Sequence, residues 1–154
     1  MRKLMIPVAV ALAVTPLFAG CAPSDDDAER DMSAAVVAVS PEIDGALVGY
    51  SSSGSELVLS VKAYIPDART MSAEELAAVV DAGVEAVWFA SPQDPFIVKF
   101  GVVPSTMPED ATFVQQDIER FPDTGKILES TSGSSNGTFG FLGSALELRF
   151  GPRQ

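Results

Sequence analysis

The clearest pattern of the chain is an alternation of apolar and polar side chains over Glu56–Ile65. Its apolar members share one face of an extended backbone, namely Leu57, Leu59, Val61, Ala63 and Ile65. A period of two predicts a strand in a sheet that has one covered face. Apolar runs over 34–39, 46–52 and 96–103 predict further strands, and Ser53-Gly54-Ser55 predicts the turn that joins the second run to this strand.

After these strands the apolar period changes to that of a helix, over Ala73–Phe89. The apolar positions recur at three- and four-residue spacing: Leu76, Val79, Val80, Gly83, Val84 and Val87. Ser72 followed by Glu75 is the signature of a capping box, which marks the first turn of a helix. A narrower stripe over 111–121 predicts a second helix, although residues 112–114 are equally typical of a strand.

Two last segments, 125–131 and 138–150, predict a closing hairpin whose connection is rich in Ser and Gly. The resulting order is strands, helix, strand, helix and strands. Such an order is typical of an α+β domain. We therefore predict a mainly antiparallel sheet with one or two helices packed on one face.

Two aromatic residues at the end of the first predicted helix are candidate partner contacts. At about 100° per residue, Trp88 falls at the edge of the apolar arc and Phe89 points nearly opposite to it. One interpretation folds both rings over the sheet edge beside Phe96. The other leaves one ring exposed next to the 91–95 loop, as an anchor for a partner, because aromatic residues dominate interface hot spots.

The first twenty residues follow a different pattern. Arg2 and Lys3 precede an apolar run, Leu4–Ala19, which is shorter than a membrane-spanning helix and contains prolines. A short positive region, a short apolar region and small residues are typical of a signal peptide, which we place at 1–20. Cys21, the sole cysteine, follows directly. An ordinary secreted protein and an uncleaved anchor are the alternative interpretations.

The segment Leu17-Phe18-Ala19-Gly20-Cys21 resembles the lipobox of bacterial lipoproteins, with Phe18 where that family usually has an aliphatic residue. The Ala-, Gly- and Val-rich composition is also similar to that of actinobacterial lipoproteins. The resemblance implies cleavage before Cys21, acylation of its thiol by palmitate-type chains, and often acylation of the new N-terminus. It implies a protein anchored in a bacterial membrane and facing the extracytoplasmic side.

Charge changes this picture further. Removal of Arg2 and Lys3 leaves 8 of the 10 basic residues beside 21 acidic ones, a formal net charge of −13. Nucleic acid is therefore excluded as a partner, and contact with the membrane rests on the acyl chains. Residues 21–33 are predicted to form the acylated cysteine and a disordered acidic tether, and 34–154 a single domain. The acidic run 25–27 is predicted to be solvated, since no EF-hand spacing follows.

The chain offers few groups for catalysis. It contains no histidine, which excludes Ser–His–Asp and Cys–His mechanisms and His-ligated metals. Ser135 matches a G-x-S-x-G pattern, but it lies in a Ser/Gly-rich loop without a histidine to activate it. Asp81 and Glu85 lie four residues apart on the polar helix face, where solvated charges belong. We predict no catalytic residue, no metal site and no cofactor.

These observations favour a lipid-anchored, extracytoplasmic binding or interaction module without catalytic activity. Its expected partner is a protein of the cell envelope. The alternative is a carrier that holds a small apolar ligand or a lipid between helices and sheet. A third hypothesis is an enzyme that uses only carboxylates, serine or lysine.

Overall fold

The computed structural model describes residues 25–113, 117–130 and 137–153. The predicted signal peptide, Cys21 and Ser135 lie outside these ranges. The elements follow one another in the order α1 (Asp25–Ala38), β1 (Gly45–Ser53), β2 (Glu56–Tyr64), α2 (Ala73–Ala90), β3 (Ile97–Val103), α3 (Pro122–Ile127), β4 (Phe139–Leu142) and α4 (Gly143–Phe150). The α+β class is confirmed.

The four strands form one sheet in the order β1-β2-β3-β4. The pairs β1–β2 and β3–β4 are antiparallel, whereas β2 and β3 are parallel. A tight turn at Gly54 joins the first pair, and its positive φ of 66° suits glycine. The parallel pair arises because α2 carries the chain back across the sheet before β3 begins. The sheet is therefore mixed, with one parallel pairing among three.

Helix α2 forms as predicted and extends to Ala90. Ser72 Oγ accepts a hydrogen bond from the Glu75 N–H at 3.1 Å, and a Glu75 carboxylate oxygen accepts one from the Ser72 N–H at 2.8 Å. Every position of the predicted apolar stripe is buried. A side chain at Gly83 would meet the Phe100 ring at 2.8 Å, so this glycine permits close packing of α2 on β3. The predicted core face is confirmed.

Helix α1 corrects two expectations, the disordered tether up to residue 33 and the strand over 34–39. Residues 25–33 of the first segment and 34–38 of the second belong to one helix, Asp25–Ala38, and residues 21–24 lie outside the described ranges. Met32 and Val36 lie four residues apart and are fully buried in the core. An apolar run as short as 34–39 does not distinguish strand from helix, and the three aspartates at 25–27 stabilise a helix N-terminus.

The C-terminal third also differs from expectation. The described residues of 111–121 form no α-helix, and Glu119 makes only an isolated bridge to Val102. In place of a hairpin, residues 125–127 belong to α3, and residues 139–150 divide into β4 and α4. The cause is long-range pairing: β4 adds to β3, which buries Phe139 and Phe141 in the core.

The second face of the sheet is covered, although the alternation in β2 predicts an open face. Lys62 and Tyr64 on this face are each 1 % exposed. Residues 107–113 and 117–119, which we call the crossing segment, pass over this face, where glycines leave room for them. A side chain at Gly101 would meet Ile118 at 2.6 Å, and one at Gly45 would collide with Met107. The crossing segment therefore shields this face of the sheet from solvent.

Candidate functional site

Four segments meet at one end of the domain, which we call the hairpin end. It consists of residues 25–29, 51–56, 89–96 and 151–153. The Tyr50 N–H donates to the Glu29 carboxylate at 3.3 Å, and the Tyr50 hydroxyl shares a hydrogen bond with Ser91 Oγ at 2.7 Å. The Phe96 N–H donates to the Leu57 carbonyl at 2.9 Å. These contacts hold α1, the β1–β2 turn and the loop after α2 together.

The topology explains why these segments converge. Helices α1 and α2 pack with opposite directions, since Val36 lies beside Gly83 while Met32, nearer the start of α1, lies 3.5 Å from the hydroxyl of Tyr50. The first turn of α1 therefore lies next to the last turn of α2. Strands β2 and β3 are parallel, so both begin at this same end.

Trp88, one of the two predicted partner contacts, is an internal residue. It is 5 % exposed, and its indole N–H donates to the Gly151 carbonyl at 3.2 Å. The guanidinium of Arg153 lies 4.8 Å from the centre of the indole ring, a cation–π distance. Trp88 thus holds residues 151–153 against the end of α2 rather than offering a surface.

Arg153 closes this end of α2. It donates to the carbonyls of Ser91, at 3.2 Å, and Gln93, and it pairs with Asp94. Burial lowers the pKa of Arg153 below its ordinary value, although Tyr50 acts in the opposite direction. Helix α2 has no basic residue in its last turn, so Arg153 supplies the cation that the negative end of the helix dipole favours.

Phe89, the other predicted contact, is 46 % exposed, and Phe96 across the loop is 50 % exposed. The backbone of Phe96 is fixed on both sides, because its N–H donates to Leu57 and its carbonyl accepts from the Gly143 N–H at 2.9 Å. The interpretation that leaves one ring exposed agrees with this geometry. A role for Phe89 in binding stays a prediction.

Sequence reasoning missed the ion pair of Lys62. Its ammonium donates to the Thr112 carbonyl at 3.0 Å and lies 2.8 Å from the Asp117 carboxylate and 5.4 Å from the centre of the Tyr64 ring. Burial alone would lower the pKa of Lys62, but hydrogen bonds with Asp117 and Tyr64 outweigh it and raise the pKa. Lys62 is therefore a cation at neutral pH, which holds the crossing segment in place. The position of Lys62 within a largely apolar strand was the sequence feature that could have indicated a buried ion pair.

Two of the open cavities beside α3 have the volume of small-molecule sites. One of about 420 Å³ has Phe121 and Phe139 in its wall, with Arg120 and Lys126 beside them. The other, of about 500 Å³, lies between α3 and α4 and includes Leu148. The space between α2 and the sheet is filled by fully buried residues, among them Val80, Val84 and Phe100. A small ligand would therefore find room beside α3 rather than beneath α2.

Two of the acidic residues singled out in the sequence, Asp81 and Asp27, form ion pairs. Asp81 lies 2.9 Å from Arg149, and Asp27 lies 3.0 Å from Arg30. In the described part of the chain, no three His, Cys, Asp or Glu side chains form a group that could hold a metal ion. No helix within 25–113, 117–130 and 137–153 is long and apolar enough to cross a membrane.

No protein-family model matches this chain, and searches of curated proteins and of solved structures found no match either.

Proposed function

We propose that this chain is a lipid-anchored, extracytoplasmic binding module without catalytic activity, held at a bacterial membrane by acyl chains on Cys21. The observation that carries the proposal is the position of that cysteine. It is the sole cysteine of the chain, and it follows a short apolar run and the small residues Ala19 and Gly20. Helix α1 begins only four residues later, at Asp25, so the anchor would join the domain almost directly.

The acyl chains are needed to hold such a protein at a membrane. The net charge of −13 after cleavage gives no attraction to anionic lipid. Each buried CH₂ of an acyl chain contributes about 0.8 kcal/mol, and stable anchoring takes two chains or a second signal. One lipid group that carries two acyl chains, attached to this thiol, satisfies this requirement.

The hairpin end is the proposed contact surface of the module. It presents the half-exposed rings of Phe89 and Phe96. The backbone between them is fixed by the hydrogen bond from Arg153 to the Ser91 carbonyl and by the two backbone hydrogen bonds of Phe96. Aromatic side chains on a rigid support lose little conformational entropy on binding. The lack of histidine and the protonated, buried state of Lys62 argue against general acid–base or amine catalysis.

The decisive experiment measures the intact mass of the protein extracted from membranes. We expect a mature chain that begins at Cys21 and carries the mass of two or three acyl chains, and that partitions into the detergent phase. Cys21→Ala is expected to remain uncut and lose the acyl mass, whereas the control Ser24→Ala is expected to behave as wild type. A mature wild-type chain with an unmodified Cys21 thiol would contradict the proposal.

The cavity beside α3 favours one second candidate, a carrier of a small apolar ligand. Its volume of about 420 Å³ lies in the range of small-molecule sites, and Phe121 and Phe139 supply apolar surface. Native mass spectrometry of the purified protein tests this candidate. A bound small molecule that is lost in Phe121→Ser but retained in the control Ile127→Ser would support it, and the absence of bound mass would refute it.

A further inference from the structure

We infer that the hairpin end faces the membrane, and that Phe89 and Phe96 contact the lipid interface. This inference rests on the proposed acylation of Cys21 and names the partner of the proposed contact surface. The partner is the surface of the same bilayer that holds the acyl chains.

The first step is the reach of the chain. Four residue steps separate Cys21 from Asp25, and even a fully extended backbone spans at most about 14 Å over that length. Helix α1 has 14 residues and is about 21 Å long, and the nine-residue β2 spans about 30 Å. The opposite end of the domain therefore lies farther from Asp25 than the connection can reach. An anchored Cys21 draws the hairpin end toward the bilayer.

The second step is the chemistry of that end. Phe89 and Phe96 together present two half-exposed aromatic rings on either side of the 91–95 loop. Exposed aromatic side chains of a membrane-surface element enter the boundary between headgroups and acyl chains. Residues 51–56, beside these rings, are all exposed and mostly serine, so they are compatible with the hydrated headgroup region. The outer side of α1 is less suited to lipid, because it exposes Asp26 and Asp31.

The third step is charge, which limits the kind of lipid surface. The charged side chains at the hairpin end are mostly acidic. The acids are the run 25–27, Glu29, Glu56 and Asp94, and the basic residues are Arg153 and the nearby Arg30. An anionic lipid surface repels the net negative charge of the hairpin end, and salt screens this repulsion. The aromatic contact is therefore expected to be closest on zwitterionic lipid, and to become closer on anionic lipid when salt is added.

The test uses the full-length acylated protein in phosphatidylcholine vesicles that contain lipid with a spin-labelled headgroup. A cysteine is introduced at the hairpin end by Ser53→Cys, or at the opposite end by Ser105→Cys; both serines are exposed. Each is labelled with a fluorophore that the spin label quenches. Because acylation blocks the thiol of Cys21, the introduced cysteine is then the sole reactive thiol, and a thiol count reports the state of the anchor.

We expect quenching to be at least threefold stronger for the label at residue 53 than at residue 105. The double change Phe89→Ser and Phe96→Ser should reduce quenching at residue 53 by about half or more. The control Ile127→Ser removes an apolar side chain that is equally exposed, at 46 %, but lies on α3, and it should change nothing. With phosphatidylglycerol vesicles, quenching at residue 53 should rise as salt is added.

The outcomes separate the two proposals. Two reactive thiols in each labelled variant would overturn the acylation of Cys21 and, with it, this inference. One reactive thiol with equal or stronger quenching at residue 105 would leave the anchor standing and overturn the orientation. Correct orientation without any effect of the Phe89 and Phe96 substitutions would overturn the lipid contact and assign the two rings to a protein partner.

Discussion

Replacement of either member of the buried ion pair, Lys62 or Asp117, is expected to have very unequal consequences. The Lys62 side chain is 2 % exposed, whereas that of Asp117 is 47 % exposed. Lys62→Met leaves an aspartate that water can solvate. Asp117→Ala instead removes the carboxylate that lies 2.8 Å from the buried Lys62 ammonium. The ammonium keeps its hydrogen bond to the Thr112 carbonyl.

The magnitudes follow from this asymmetry. Lys62→Met loses hydrogen bonds to a charged group but keeps most of the apolar stem, so we expect a loss of about 1–2 kcal/mol in the free energy of unfolding. Asp117→Ala removes the carboxylate from a buried charge, for which about 3–5 kcal/mol is typical. The double variant removes the buried cation as well, and its stability should lie within about 1 kcal/mol of that of Lys62→Met alone.

The pH dependence provides an independent check. The raised pKa of Lys62 means that its stabilising contribution is present below the ordinary lysine pKa of about 10.4 and is lost as pH rises through the folded-state value. In Asp117→Ala, the hydrogen bond and charge of Asp117 no longer raise the pKa of Lys62, whereas burial still lowers it and Tyr64 still raises it. The loss of stability at alkaline pH that is expected of the wild type should therefore be smaller in this variant.

Urea unfolding of the four proteins, followed by circular dichroism at several pH values, measures both effects. Lys99→Met is the matched control, since Lys99 lies on the same face of the neighbouring strand and is only partly buried; a change within about 0.5 kcal/mol is expected. If Lys62→Met proves as destabilising as Asp117→Ala, the energetic penalty does not reside in the buried cation. The crossing segment would then be held over the sheet by its apolar contacts rather than by Lys62.

Three further predictions concern other parts of the chain. Glu129, just after α3, has a φ of 52°, and the next residue donates its N–H to the Gly125 carbonyl. Because a positive φ suits glycine, Glu129→Gly should raise the free energy of unfolding by about 0.5–1 kcal/mol in chemical unfolding. A decrease would show that the backbone at Glu129 is not strained. Arg153→Ala should release residues 151–153 from the ring of Trp88, the sole tryptophan of the chain, and shift the tryptophan fluorescence emission to the red. An unchanged emission spectrum would contradict the cation–π contact. Phe89→Ala should cost less than about 1.5 kcal/mol, because its ring is half exposed, and a loss of about 3 kcal/mol or more would assign Phe89 to the core.

Local patterns determined the middle of this fold. The Ser72 and Glu75 capping box and the apolar stripe after it specify α2 within a few residues, because a helix is built from contacts three and four residues apart. The alternation in β2 and the glycine at 54 specify the β1–β2 hairpin in the same way. The sequence alone also determined the lack of histidine chemistry and the position of Cys21.

Tertiary structure decided the parts whose partners are distant in the chain. Residues 34–38 are helical because Met32 and Val36 are buried in a core formed with α2 and the sheet. The segment 138–150 divides because the edge of β3, about forty residues earlier, binds only its first part. The same holds for the covered face, where Lys62 meets Thr112 and Asp117 some fifty residues later. Such pairings depend on loop closure and burial, which no local period encodes.

The hairpin end shows both contributions in one place. Helical geometry alone separated the directions of Trp88 and Phe89, and the structure agrees that they differ. Which ring is covered was decided by residues 151–153, which return from the far end of the chain to lie on Trp88. Burial of an aromatic ring against a distant segment is a tertiary event, and it is the reason that Phe89 rather than Trp88 is exposed.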